Sequence, residues 1–202
     1  MSNQKKTIIE YGFRLFAGLA VLYPLWVVGR NINWSLSTSF VFTLFPLFGI
    51  LAFTLLWLHV VSGVFEPWLR QYIDFYRFVQ NTSLLIFISI ILHPLLLLIP
   101  AGFNFNQVFT YGRFYIWLAI IGWLLLITYD IGKLLKKKYN FFTKNWRKIL
   151  LISNIGFLLT FFHSLSIGDD LQSGPLRTVW IFYGATAILA TIYTYGIKRS
   201  SL

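Results

Sequence analysis

Six stretches without Asp, Glu, Lys or Arg divide this 202-residue chain, and two of them are 35 residues long. A helix needs only about 20 apolar residues to cross a bilayer. The chain is 57% apolar and 11% charged, whereas soluble domains average about 45–50% and about 25%. The stretches are rich in Leu and Ile and lack the period-two alternation of barrel strands. They therefore predict an all-α, polytopic membrane protein.

Charges and turn residues set the ends of six predicted spans. The absence of cysteine excludes a disulfide scaffold and thiol catalysis. No G-x-G-x-x-G or Walker-type loop occurs, so we expect no nucleotide-binding domain within these residues. The chain is expected to form one six-helix transmembrane domain over residues 1–202. The predicted spans are Tyr11–Gly29, Phe42–Val64, Phe78–Pro100, Phe114–Tyr129, Ile149–His163 and Thr178–Ile197.

The distribution of Lys and Arg indicates the orientation. The N-terminal segment, the loop around residues 70–77, the 131–148 loop and the C-terminal segment together carry 14 basic residues, and the opposite segments carry three. Basic loops stay on the cytoplasmic side, so both termini are expected there, with the cell membrane as the site. This topology accounts for the net charge of +11, and no nucleic-acid partner is expected. The run Lys133–Lys148 is interpreted as an anchor to anionic lipid, with docking of an acidic soluble partner as the alternative.

Three histidines are the ionisable side chains that need an explanation inside the bilayer. His93 lies 16 residues after Arg77, and His163 lies 15 residues after Lys148. At about 1.5 Å per residue these offsets are about 24 and 22 Å, which predicts nearly equal depth in the outer half of the membrane. Two imidazoles at one depth suit the axial ligation of a haem b. The alternative is that each histidine bonds to a neighbouring helix, while zinc is disfavoured because it usually needs four ligands.

Two further residues are candidates for contact with a cofactor. His59 precedes Glu66 by seven residues, about 10 Å from the inner edge, so it cannot share a macrocycle plane with His93. It is expected to contact a haem propionate, a second cofactor or a neighbouring helix. Gly156 lies seven residues before His163 on the same helical face. It permits close approach of a porphyrin or, as is commoner in membranes, close packing of helices.

Three segments carry a resemblance to a known family. They are GILAFTLLWLHVVSG with the following EPWLR, RFVQNTSLLIFISIILHPLLLLI, and NWRKILLISNIGFLLTFFHSLSIG. They resemble the ferric reductase-like transmembrane domain family, which includes the haem cores of ferric reductases and NADPH oxidases and the haem subunit of a methionine sulfoxide reductase. The similarity covers about residues 40–196 in order and topology, and it implies a membrane haem core.

The resemblance also implies how many haems to expect. In that family the third and fifth spans each carry two histidines, which stack one haem near each membrane face. His93 and His163 match the outer pair, whereas the inner pair falls near Val79 and at Leu150, which cannot ligate iron. One outer haem b is therefore implied, and a route through two haems is in doubt. Arg77 lies nearby as a candidate contact for a propionate or a flavin phosphate.

These features predict outer-sphere electron transfer by the membrane subunit of an oxidoreductase system, with no catalytic residue of its own. The expected donor is a separate reductase flavoprotein or a quinol, with a flavin or quinone in the inner half near His59, and the expected acceptor lies on the outer side. Whether the chain alone is an enzyme stays open. The alternative is a cofactor-free scaffold with histidines in contacts between helices. A transporter is disfavoured because no Asp or Glu is expected in mid-membrane.

Overall fold

Six long helices dominate the computed structural model, which describes residues 3–34 and 43–198. All six are long and apolar enough to cross a membrane, and no strand occurs within the described ranges. The prediction of an all-α, six-helix membrane protein is therefore confirmed. The helices are α1 (Asn3–Gly29), α2 (Phe45–Val64), α3 (Phe75–Leu98), α4 (Arg113–Leu135), α5 (Trp146–Ile167) and α6 (Gly174–Ile192).

Several helices extend beyond their predicted ends. α1 begins at Asn3 rather than Tyr11, and α4 continues to Leu135 rather than ending at Tyr129. Lys and Arg have good helix propensity, and their long side chains reach water from the ends of an apolar segment. A charge therefore marks the edge of the apolar layer without ending the helix. The predicted start of the second span, Phe42, lies outside the described residues.

The helices form two compact units, residues 1–100 and 101–202. In the first unit α2 contacts both α1 and α3. Trp57 and Leu58 of α2 are almost completely buried, and the Trp57 ring lies 6.0 Å from the ring of Phe16 in α1. The core of this unit is therefore centred on α2. The single-domain assignment of the whole chain stays a prediction.

The ends of α3 are shaped by two local features. Asp74 precedes the helix, and its carboxylate accepts a hydrogen bond of 2.9 Å from the main-chain N–H of Arg77. Such a cap satisfies one of the N–H groups that a helix start leaves unpaired. Near the other end, Pro94 directly follows His93 and cannot donate a helical hydrogen bond. The helix nevertheless continues to Leu98.

In the second unit, α5 contacts α4 and α6. Gly156 of α5 and Gly122 of α4 meet backbone to backbone, since a Cβ atom on Gly156 would lie 2.7 Å from the carbonyl oxygen of Gly122. On α6, the fully buried Trp180 donates from Nε1 to Ser164 Oγ of α5 over 2.9 Å. The Phe161 ring of α5 packs directly against Gly184 of α6. Small residues and one buried polar bond thus join the three helices.

Charged side chains form ion pairs in the first unit and cation–π contacts in both units. Among the described residues, the ion pairs are Arg14–Glu10 and Arg70–Glu66, both one helical turn apart in the first unit. In the second unit, Lys136 lies 4.3 Å from the centre of the Trp146 ring, within the range of a cation–π contact. Basic and aromatic residues together are typical of helix ends at a membrane interface.

Candidate functional site

His93 is held by the first turn of α2. It lies five residues before the end of α3, which is about 7.5 Å of helix rise. Its Nδ1 is 2.7 Å from the carbonyl oxygen of Phe45, and its ring lies 5.4 Å from the Phe45 ring. A carbonyl oxygen can only accept, so Nδ1 carries the proton and donates it. In the neutral imidazole the lone pair is then on Nε2.

His163 has the same arrangement within the second unit. It lies four residues before the end of α5, about 6 Å of helix rise, and its Nδ1 is 3.0 Å from the carbonyl oxygen of Tyr115 in the first turn of α4. The sequence separation between the histidine and its acceptor is 48 residues in both units. Each imidazole thus donates from Nδ1 to the start of the preceding long helix and carries its lone pair on Nε2.

This bonding pattern suits metal ligation. Histidines that bind a metal almost always donate their other ring N–H to a carboxylate, a main-chain carbonyl or water, which fixes the tautomer and raises the basicity of the ligand. His93 and His163 both meet this condition. A haem b with two axial imidazoles needs no further protein ligand to iron. Within residues 3–34 and 43–198 no group of three or more His, Asp or Glu side chains is placed to hold a metal ion.

His59 is bonded differently, to the neighbouring helix. Its Nε2 lies 2.5 Å from Thr82 Oγ1 in α3, and the Thr82 hydroxyl donates to the carbonyl oxygen of Phe78 over 2.7 Å. With its hydrogen committed to Phe78, the hydroxyl accepts from Nε2–H of His59. Of the three contacts expected for His59, the bond to Thr82 is the one with a neighbouring helix. Contact with a cofactor stays a prediction.

The bond between His59 and Thr82 should contribute little to stability. Such bonds between transmembrane helices average about 0.6 kcal/mol in double-mutant cycles. We expect His59→Ala, Thr82→Ala and the double variant to give a coupling of about this size in unfolding from detergent micelles. A coupling near zero would contradict the hydrogen bond.

The remaining two candidates lie in different surroundings. Gly156 faces Gly122 of α4, as described above, so close helix packing is the role its contacts support. Arg77 is exposed in the first turn of α3, where its main-chain N–H bonds to Asp74. An exposed guanidinium is available to a propionate or phosphate, and this role stays a prediction. The porphyrin contact expected of Gly156 also stays a prediction.

No family model matches this chain, and no curated protein or solved structure matches it either. The resemblance to the ferric reductase-like family thus rests on the three segments quoted above. The haem and the electron-transfer role that it implies stay predictions.

The acceptors of the two histidine bonds, Phe45 and Tyr115, are functional candidates that sequence reasoning missed. Both act through main-chain carbonyls, which every residue possesses, so their side chains give no direct signal. The sequence signal that could have pointed to them is the equal separation of 48 residues between each aromatic residue and its histidine. That spacing gains meaning only when the two bonds are known.

Proposed function

We propose that this chain is a membrane haem b protein that transfers electrons, with His93 and His163 as the two axial ligands of one haem. One observation carries the proposal: in each unit an imidazole donates from Nδ1 to a main-chain carbonyl of the adjacent long helix. This pattern supports ligation through Nε2 on both histidines.

The role of the protein residues follows from that bonding. When bound, the haem supplies an iron that changes by one electron between the ferric and ferrous states. The Phe45 and Tyr115 carbonyls hold the two imidazole rings in place and increase their electron donation, which favours the ferric form. Two axial imidazoles leave no coordination position for dioxygen or substrate. The exchange is therefore outer-sphere electron transfer.

The expected haem count is one. Val79 and Leu150, where the resemblance places the inner ligands, are each the fifth residue of their helix, α3 and α5 respectively. Aliphatic side chains have no lone pair to offer iron, which supports a single haem.

We further propose that both termini face the cytoplasm of a cell membrane, which places this haem near the outer side. The 14-to-3 distribution of basic residues supports this orientation. The donor is then a separate reductase flavoprotein or a quinol, with a flavin or quinone in the inner half, and the acceptor is a redox partner on the outer side. The chain acts as one subunit of an oxidoreductase system.

Haem stoichiometry tests this proposal. We expect the purified protein, reconstituted with haemin in lipid nanodiscs, to bind about one haem b per chain and to give a reducible low-spin spectrum. Carbon monoxide should leave the reduced spectrum unchanged, because both axial positions are filled. Pyridine haemochrome analysis and optical titration measure both results.

Two other stoichiometries would lead to different conclusions. Two haems per chain would mean an inner ligand that the sequence does not reveal. No bound haem would overturn the proposal and support the alternative, a cofactor-free scaffold in which the bonds of His93 and His163 join neighbouring helices within each unit. In that case the histidines are structural.

A further inference from the structure

Gly49 of α2 lies directly against the imidazole of His93. A Cβ atom built on Gly49 would stand 2.8 Å from both Nδ1 and Cε1 of His93 and 3.4 Å from Cγ. Real Cβ atoms essentially never have a neighbour under 3.0 Å. The ring edge therefore occupies space that the Cβ of any other residue would fill.

The same ring edge makes the hydrogen bond to Phe45. Gly49 follows Phe45 by four residues, so both lie on one face of α2, one turn apart. We infer that Gly49 is a positioning residue for His93: its missing side chain admits the imidazole to the Phe45 carbonyl and so selects the tautomer with its lone pair on Nε2. The consequence for iron rests on the proposed function, whereas the consequence for the tautomer does not.

Among the described glycines, Gly49 is the one whose would-be Cβ meets a histidine ring. Gly63 lies on the same helix and has no atom within 4 Å of the place where its Cβ would be. In α4, the residue four positions after Tyr115 is Ala119, so the second unit carries a methyl group at the corresponding place. The bond of the second unit forms beside that alanine, so the close contact between ring and helix backbone is particular to His93 and Gly49.

Substitution of Gly49 should displace the ring and leave the fold intact. In Gly49→Ala the new methyl group meets the far end of the His93 side chain, which can move away by rotating about its torsions. That rotation breaks the Nδ1–H bond to Phe45 and turns Nε2 out of its place. Gly63→Ala is the matched control, since it adds the same methyl to the same helix in open space.

The first test uses protein without haem. In 15N solid-state NMR of the histidine-labelled chain in bilayers, with His93→Ala used to assign the signals, His93 should be protonated on Nδ1 in wild type and in Gly63→Ala. Gly49→Ala should lose this hydrogen-bonded Nδ1–H signal. If Gly49→Ala keeps it, the inference is overturned.

The second test uses haem. Removing an outer hydrogen-bond partner of a metal ligand typically lowers affinity about 10- to 100-fold, and we expect this loss in Gly49→Ala but not in Gly63→Ala. Added imidazole should restore the low-spin spectrum of Gly49→Ala, because it replaces the displaced ring. Equal haem affinity in the two variants would contradict the inference while the proposed function stands. If wild type binds no haem, the proposed function fails and the NMR result still decides the role of Gly49.

A double-mutant cycle covers the case in which Gly49→Ala lowers the stability of the protein. The clash is with His93, so the methyl group should cost nothing in the His93→Ala background. Thermal unfolding of the four proteins in detergent measures the coupling between the two sites. An equal cost in both backgrounds would place the clash elsewhere and overturn the inference.

Discussion

Replacement of either His93 or His163 with alanine is expected to abolish the b-type spectrum. Each substitution removes an axial ligand of the proposed haem, so the loss of affinity should exceed the about 10- to 100-fold typical of removing an outer hydrogen-bond partner. Optical titration with haemin in nanodiscs measures the affinity, and electron paramagnetic resonance reports the loss of the low-spin ferric signal. The effect should be the same for both histidines, because both make the same type of bond through Nδ1.

The matched control is His59→Ala. His59 bonds to Thr82 through Nε2, which is the nitrogen that the proposed ligands offer to iron. Its replacement should leave the haem spectrum in place. A low-spin spectrum that survives in His93→Ala or His163→Ala would show that the ligand assignment is wrong. Added imidazole should restore six-coordinate iron in His93→Gly, which would separate ligand loss from a general loss of structure.

The second large effect concerns the fold of the second unit, where Gly156→Ala is expected to destabilise the protein strongly. The new Cβ would lie 2.7 Å from the carbonyl oxygen of Gly122, 2.9 Å from Leu125 Cβ and 3.0 Å from the main-chain nitrogen of Leu126. Backbone atoms cannot rotate away, so α4 and α5 must separate. Overpacking of this kind typically costs about 1–3 kcal/mol.

Thermal or denaturant unfolding in micelles measures this loss against Gly18→Ala. Gly18 lies within α1 and has nothing within 4 Å of its would-be Cβ. Alanine there should be neutral or should stabilise the helix, because glycine has the lower helix propensity, by about 1 kcal/mol. If Gly156→Ala unfolds at the same temperature as Gly18→Ala, the close helix contact is contradicted.

The six helices are predictable from the sequence because their signal is strong and local. Long uncharged segments require main-chain hydrogen bonds to be satisfied within the chain, and a helix does so. The ends are less predictable, as α4 shows: it passes Asp130 and Lys133 before it ends at Leu135. A charge limits the depth of a residue in the membrane, whereas the helix end depends on local hydrogen bonding.

The candidate site was predictable in its histidines and not in their surroundings. An ionisable group within an apolar segment is conspicuous, so His93 and His163 stand out. Gly49 is one of 14 glycines, and only its contact with an imidazole distinguishes it. The partner of His59, Thr82, is 23 residues away along the chain. Contacts between helices depend on rotation about the helix axes, and an apolar sequence specifies this weakly.

The sequence separation between histidine and acceptor is the same in both units, so one shift along the chain aligns the two pairs. A shift of 70 positions carries Phe45 onto Tyr115 and His93 onto His163, and it also pairs Gly49 with Ala119. Each unit therefore contains a helical hairpin with the same separation between histidine and acceptor, and one turn after the acceptor the first carries glycine and the second alanine. A variant that carries both Gly49→Ala and Ala119→Gly exchanges the two residues within one chain. Each hairpin then serves as the reference for the other under identical expression, lipid and detergent.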